Sequence, residues 1–326
     1  MSPRACHDEQ YHPAHTLISR FRFSRYPSTL MAGSLRIAVT GGSGRVGRFI
    51  VRELLDRGHQ VVNLDRRPGD DDRARFVDCD IRLRESVTPV LATCDAVCHL
   101  AEIPNLEGGV PLDEVYWTNA RSGSVVLQAA ADLHLRHAVY ASSCQVYGCW
   151  GAGSVSPCRF PIDETYPIQP MNAYAVSKVA NETFAKYLCG HDGASISIFR
   201  FPWVMIQDFD NAQWRHFEQN DGPLHDGFNT FIHATDLARA FAAAVEFGRS
   251  GCEIYNLSAP DILSVFPLRQ RLEKHHPDFP PLPPDWPEFK SPVVTEKAQA
   301  MLGWKPQWSF LEHFHAIRIR QMRQLG

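Results

Sequence analysis

The chain has 326 residues, 44% hydrophobic and 21% charged, enough to bury one large core or two modest ones. Its 33 Lys and Arg against 36 Asp and Glu leave a net charge of −3, so nothing in the balance favours nucleic acid or an anionic membrane. No apolar run reaches the length of a transmembrane helix.

The first thirty residues are arginine-rich, poor in acids and without clear period. A transit peptide has this character, and so does a disordered extension or a start upstream of Met31. Residues 1–34 are therefore set apart from the fold as an extension. From Leu35 onward, strand-like and helix-like stretches alternate. "LRIAVT" (35–40) is a β-branched run, and Val46, Phe49, Ile50, Leu54 and Leu55 follow at helical spacing until Gly58. "HQVVNLD" (59–65), "RFVDCD" (75–80) and "AVCHLA" (96–101) predict strands. A helix over about 114–133 leads into the strand "HAVYASS" (137–143), and a helix over about 173–189 leads into "SISIFR" (195–200). Apolar strands separated by helices predict βαβ units: an α/β, doubly wound parallel sheet covered on both faces. "DFPPLPPDWP" (278–287) is either an ordered connector or a ligand for a proline-recognising domain.

The nine cysteines are scattered and form no C-x-x-C pair, which points to a reducing, cytoplasmic compartment without a disulfide framework. Cys144, Cys149 and Cys158 cluster, but their spacing fits no common zinc pattern. His216, His225 and His233 lack helical ligand spacing, so no metal is expected.

Between the first strand and first helix stands T-G-G-S-G-R-V-G, with Gly41, Gly44 and Gly47 in G-x-x-G-x-x-G spacing. Such glycines permit a tight strand-to-helix turn, approach of a pyrophosphate to the backbone, and close packing of helix on strand. The helix N-terminus then faces the anion with free N–H groups. Asp65 ends the next strand, where an acid accepts hydrogen bonds from a ribose diol and repels a 2′-phosphate. NAD is thus favoured over NADP, although Arg45, Arg66 and Arg67 blunt the preference. Farther on, "NAYAVSK" sets Tyr174 and Lys178 four residues apart on one helix face. The ammonium and an oxidised nicotinamide are expected to lower the phenol's pKa, so that Tyr174 takes a proton from a substrate hydroxyl while hydride passes to the cofactor. Ser142 and Ser143, at the end of a strand, offer a hydroxyl to the reacting oxygen.

These residues, with "DIR" (80–82), "HLAE" (99–102), "TN" (118–119), "SSCQVYG", "RFPWV" (200–204), "FIHATDLARA" (231–240) and "LGWKP" (302–306), occur in the order found in extended short-chain dehydrogenase/reductases. The chain resembles the NAD-dependent epimerase/dehydratase group of that family. The resemblance implies a Rossmann-type NAD domain over 35–200 with the catalytic helix, and a smaller substrate-binding portion over 201–326 interleaved with the last strands. It implies a triad of Ser143, Tyr174 and Lys178, with Lys178 also on the nicotinamide ribose. Gly41, Gly44, Arg45, Val46, Gly47, Asp65 and Arg66 would hold the dinucleotide, Asp80 and Ile81 its adenine. Leu100 and Ala101 would line the path to the nicotinamide, and Pro202 to Val204 would face its amide. Asn119 is structural in the family, and the helices at 114–133 and 173–189 would form a homodimer face.

Two departures bear on activity. Dehydratases of the group carry Asp-Glu directly after the catalytic hydroxyl, where this chain has Cys144 and Gln145, so dehydration is not expected. The segment Met205–Thr230 is shorter than the one with which nucleotide-sugar epimerases usually hold their nucleotide. Gln145, Trp214 and Arg215 remain the candidate substrate contacts: Trp to stack on a ring, Arg to clamp a phosphate or carboxylate. The expected activity is NAD-linked chemistry at a secondary alcohol of a sugar or nucleotide sugar. The alternatives are a small-sugar or sugar-acid dehydrogenase with exchanging cofactor, and a non-catalytic NAD(H) sensor.

Overall fold

Ile37, Ala38 and Val39 are wholly buried in the first strand, β1 (Arg36–Thr40). Successive strand side chains point to opposite faces, so Ile37 and Val39 enter one core and Ala38 the other. A strand buried on both faces needs cover on both, and helices provide it. The computed structural model describes residues 33–104, 109–151, 153–206, 219–224, 226–247 and 250–315. The leader and the candidates Trp214, Arg215, His216 and His225 lie outside the described residues.

After β1 come α1 (Gly47–Asp56), β2 (Gln60–Asp65), β3 (Arg75–Asp78), α2 (Arg84–Leu91), β4 (Ala96–His99), α3 (Leu112–Asp132) and β5 (His137–Ala141). Then follow α4 (Ala173–Asp192), β6 (Ser195–Arg200), β7 (Trp203–Met205), β8 (Phe231–His233), α5 (Ala234–Phe247), β9 (Gly251–Asn256), α6 (Leu268–His275) and α7 (Glu296–Leu302). The main sheet runs β3-β2-β1-β4-β5-β6-β9, every neighbouring pair parallel. Strands β7 and β8 form a separate parallel pair. The expected doubly wound sheet is therefore present.

Leu54 of α1, Phe241 of α5 and Leu302 of α7 cover one face with Ile37, Val39 and Phe199. Leu91 of α2, Val126 of α3 and Leu188 of α4 cover the other with Ala38, Val97 and Ile198. A third core joins Tyr147, Trp150, Phe160 and Tyr166 to Phe228, Ile262 and Leu272. The proline-rich stretch is an ordered connector: Leu282 is buried, and Arg269 Nη2 donates to the Pro283 carbonyl at 2.6 Å.

The strands expected over 75–80 and 96–101 end at Asp78 and His99. In the second case the reason is visible: the Leu100 and Ala101 amides turn onto the Thr40 hydroxyl, at 3.1 and 3.2 Å. Helix α4 passes Gly190 and ends at Gly193, whose φ of 68° is the left-handed geometry of a helix cap. Topologically, the chain winds outward from β1 to β3 and then returns to the opposite side of β1 at β4. The reversal opens a crevice at the carboxyl ends of β1 and β4, the place where sheets of this kind bind ligands.

Candidate active site

The glycine loop lies on that crevice. Gly41 has φ of +71°, and a Cβ there would stand 2.9 Å from the Ala101 backbone. A Cβ on Gly47 would reach 2.1 Å from the Gly41 carbonyl oxygen, so α1 starts hard against the loop. Both positions exclude a side chain, and together they keep the backbone bare where a pyrophosphate would lie. Gly44 completes the turn, donating its N–H to the Gly41 carbonyl at 3.0 Å. Asp65 is half-buried at the end of β2 and accepts from the Ser43 and Arg66 amides at 3.1 and 2.7 Å. Loop and carboxylate are thereby brought together. Arg45 and Arg66 are exposed, and Val46 packs partly against the first core.

Asp80 and Ile81 follow β3. The Asp80 carboxylate is held by Arg82 through contacts of 2.7 and 3.0 Å, which pull its pKa down to about 2. Leu100 and Ala101 line the β4 side of the crevice, fixed by Thr40, whose hydroxyl also meets His99 Nδ1 at 2.7 Å. Pro202 is buried after β6, and Val204 lies on β7 opposite Ile232.

Across the crevice, Asn172 caps α4, its side-chain oxygen accepting from the Ala175 amide at 2.9 Å. The cap fixes Tyr174 in the first turn. Asn172 Nδ2 also donates to Gln145 Oε1 at 3.0 Å, tying α4 to the 3₁₀ turn Cys144–Tyr147. Tyr174 is half-buried, Lys178 Nζ lies 5.1 Å from its ring centre, and Ser143 and Lys178 both pull the phenol's pKa down. The three expected residues therefore stand close together. Ser142 is directed elsewhere, onto the buried Glu182 at 2.6 Å, which singles out Ser143 of the two serines.

The sequence did not point to Glu102. Its carboxylate has a side chain only 4% exposed, forms an ion pair with the buried Lys178, and accepts from the Tyr140 hydroxyl at 2.9 Å. Lys178 Nζ also donates to the Ala141 carbonyl at 2.5 Å and lies 5.1 and 5.2 Å from the ring centres of Tyr174 and Tyr140. Asn181 extends the network, donating to the Tyr140 hydroxyl at 3.1 Å and the Asn119 carbonyl at 2.9 Å. Asn119 itself clamps the Ile103 backbone through contacts of 2.8 and 3.0 Å, a structural position.

Lys178 acts in the expected direction, but the Tyr174 pKa does not fall on balance. The Tyr174 phenol is pushed above its ordinary value, chiefly by burial; Lys178 pulls it down, but Glu102 opposes the pull. Lys178 is held above its ordinary value by Glu102 and Tyr174, against burial. Cys144 is wholly buried with its thiol pushed far up by burial, and among the described residues no cluster of His, Cys, Asp and Glu has the makings of a metal site.

Gly47→Ala places a methyl group where the Gly41 carbonyl stands. The loop has to shift, and we expect a loss of about 1–3 kcal/mol in stability together with weaker dinucleotide binding, measured by urea unfolding and by calorimetric titration. Unchanged stability and affinity would show that the loop is not tightly packed on α1.

The sequence model of the NAD dependent epimerase/dehydratase family matches residues 37–258. The chain is 26% identical to UDP-glucose 4-epimerase of Bacillus subtilis over 284 residues, covering 74% of this chain and 82% of that one. It is 30% identical to UDP-glucose 4-epimerase of Lactobacillus helveticus over 175 residues, only 51% of either chain. Among solved structures it resembles dTDP-glucose 4,6-dehydratase of Streptomyces venezuelae with NAD bound, at 25% identity and a TM-score of 0.63, over 89% of this chain and 97% of that one. Epimerases and a dehydratase thus both stand among the similar proteins, and similarity alone does not speak against dehydration. With the family model spanning residues 37–258, well over half of the chain, the chain belongs to the NAD dependent epimerase/dehydratase family.

Proposed function

We propose that the protein is an NAD-dependent enzyme that reacts at a secondary alcohol carbon of a sugar or nucleotide sugar, with Tyr174 as its acid–base group. The observation that carries this reading is the buried Lys178 ammonium 5.1 Å from the Tyr174 ring centre, with Ser143 on the turn that Gln145 ties to the same helix, beside the glycine loop. A binding module would have no use for a half-exposed phenol joined to a buried ammonium.

The crevice suits a dinucleotide. Gly41 and Gly47 let strand, loop and helix close together where a Cβ would collide with backbone, and Asp65 stands beside them with a carboxylate for a ribose diol. Gly44, Val46 and the first amides of α1 would face the pyrophosphate, Asp80 and Ile81 the adenine, and Leu100, Ala101, Pro202 and Val204 the nicotinamide end. NAD, when bound, supplies the hydride acceptor. Ser143 would hold the reacting oxygen, and Tyr174 would exchange a proton with it. Lys178 would orient both the phenol and the ribose.

The similarity to UDP-glucose 4-epimerases over most of their length supports a nucleotide sugar and epimerisation. The short segment Met205–Thr230 favours the second reading, a dehydrogenase or reductase of a small sugar or sugar acid. Dehydration is disfavoured on Cys144 and Gln145 alone: the first is a buried thiol and the second an amide engaged with Asn172, so neither brings a carboxyl group to the substrate. We further read the protein as a homodimer through α3 and α4, which pack together and leave Tyr116, Trp117, Val176 and Tyr187 exposed. The free cysteines of the described residues fit a cytoplasmic protein, and no described helix is long and apolar enough to cross a membrane.

Tyr174→Phe removes only the hydroxyl. Turnover of UDP-glucose to its 4-epimer, followed by chromatography, should fall by about 10²–10⁴-fold while the protein still folds and binds NAD. Full activity in this variant would exclude Tyr174 as the acid–base group, and no turnover of nucleotide sugars by the wild type, with turnover of sugar acids, would favour the second reading. Trp117→Asp combined with Tyr187→Asp should convert a dimer to a monomer in analytical ultracentrifugation; a wild type already monomeric would remove the dimer reading.

A further inference from the structure

We propose that Glu102 is a positioning residue of the active site: its carboxylate holds Lys178 and cancels the charge of the ammonium, so that Tyr174 rests as a neutral phenol in the cofactor-free protein. Its catalytic meaning depends on the acid–base reading of Tyr174, whereas the titration that tests it needs neither cofactor nor substrate.

The geometry is that of a closed pair. Both side chains are almost wholly buried, 3% exposed for Lys178 and 4% for Glu102, and their charged ends are in contact. Two buried groups that share a proton carry no net charge wherever that proton sits. What reaches Tyr174, 5.1 Å from its ring centre to Nζ, is therefore a balanced pair and not a lone cation. The ammonium's hydrogen bonds go to Glu102 and the Ala141 carbonyl, and it lies over the faces of the Tyr174 and Tyr140 rings.

Glu102 is held just as firmly. The Tyr140 hydroxyl donates to it at 2.9 Å, and Asn181 donates to that hydroxyl at 3.1 Å, so the carboxylate is bound from β5 and, through Asn181, from α4 and α3. Around Tyr174 the titratable and charged groups are Lys178 on its own helix, Glu102 beyond β4, Tyr140 on β5 and, stacked on Tyr140 with centroids 5.8 Å apart, His99 on β4; Ser143 adds a neutral hydroxyl. His99 is pushed down to about 3 by burial and by Lys178, and Tyr140 is pushed well up by burial and by Glu102. Neither changes charge across the range in which a phenol titrates. Lys178 and Glu102 are then the charges that set Tyr174, and they oppose each other.

The consequence is directional. A neutral phenol is ready to give a proton to a carbonyl oxygen as that carbon is reduced. To take a proton from an alcohol it must first lose its own. Removing the Glu102 charge leaves an unbalanced ammonium beside the phenol, which should lower the Tyr174 pKa by roughly one to three units.

The test is a pH titration of cofactor-free protein labelled with tyrosine carrying ¹³C at the ring carbon bearing the hydroxyl, the Tyr174 resonance being assigned with Tyr174→Phe. In the wild type Tyr174 should stay un-ionised to about pH 10, the ordinary tyrosine value. In Glu102→Gln its midpoint should fall by roughly one unit or more, and Glu102→Asp should lie nearer the wild type. A purely structural role would not move the midpoint, because the Gln amide oxygen still accepts from Lys178 and Tyr140. Superimposable titrations of wild type and Glu102→Gln would overturn the proposal. So would a Tyr174 that ionises near neutral pH in the cofactor-free wild type, a measurement that stands even if Glu102→Gln does not fold.

Discussion

A lysine ammonium removed from water is costly to hold, by several kcal/mol unless it is paired and hydrogen-bonded. Lys178 meets that cost with one carboxylate, one backbone carbonyl and the faces of two aromatic rings, and much of the architecture around the crevice follows from it. Glu102 can reach it only because the chain leaves the sheet at His99 and turns onto the Thr40 hydroxyl. The Ala141 carbonyl is available because β5 ends there. The ammonium thus joins the exits of two central strands to helix α4, and Tyr174 inherits its place from that junction.

One helical turn beyond Lys178, the same helix face carries Glu182, which makes a buried ion pair with Arg200 of β6 at 2.5 Å and accepts from Ser142 at 2.6 Å. Helix α4 is therefore pinned to the sheet by two successive buried pairs of opposite polarity, its lysine to a glutamate and its glutamate to an arginine. Such an arrangement contributes little net stability compared with an apolar core, but it specifies rotation and depth of the helix. A catalytic group has to be held within a fraction of an ångström, and rigid elements do this better than loops. Asn172 sets the helix start, Gly193 its end, and the two ion pairs its orientation.

Much of this was legible in the chain itself. Alternating apolar runs gave the sheet, and the four-residue step from Tyr174 to Lys178 placed both on one helix face. Glycine spacing marked the tight loop between the first strand and helix α1. Local patterns reach no farther than a turn or a strand, however. Nothing near Glu102 in sequence announces that it will meet a lysine 76 positions away, and a carboxylate after an apolar strand reads as an ordinary exit to solvent. The expected fall in the Tyr174 pKa failed for the same reason: the lysine was visible, while the burial of the phenol and the counter-charge of Glu102 were not. Strand ends were overrun at Cys79 and Leu100, and at Leu100 a side-chain hydrogen bond, not hydrophobicity, ends the pairing.

A dinucleotide site coupled to the Ser143–Tyr174–Lys178 group can be tested on the purified protein with no cofactor added. The protein is denatured, the polypeptide removed, and the supernatant assayed for NAD and NADH by absorbance and mass spectrometry, followed by titration of any empty protein with NAD and NADP. NAD is expected, either released in near-stoichiometric amount or bound reversibly by the empty protein in preference to NADP, the first outcome indicating epimerisation and the second an exchanging cofactor. A protein that releases no dinucleotide and binds none, or that binds NADP much more tightly than NAD, would contradict it.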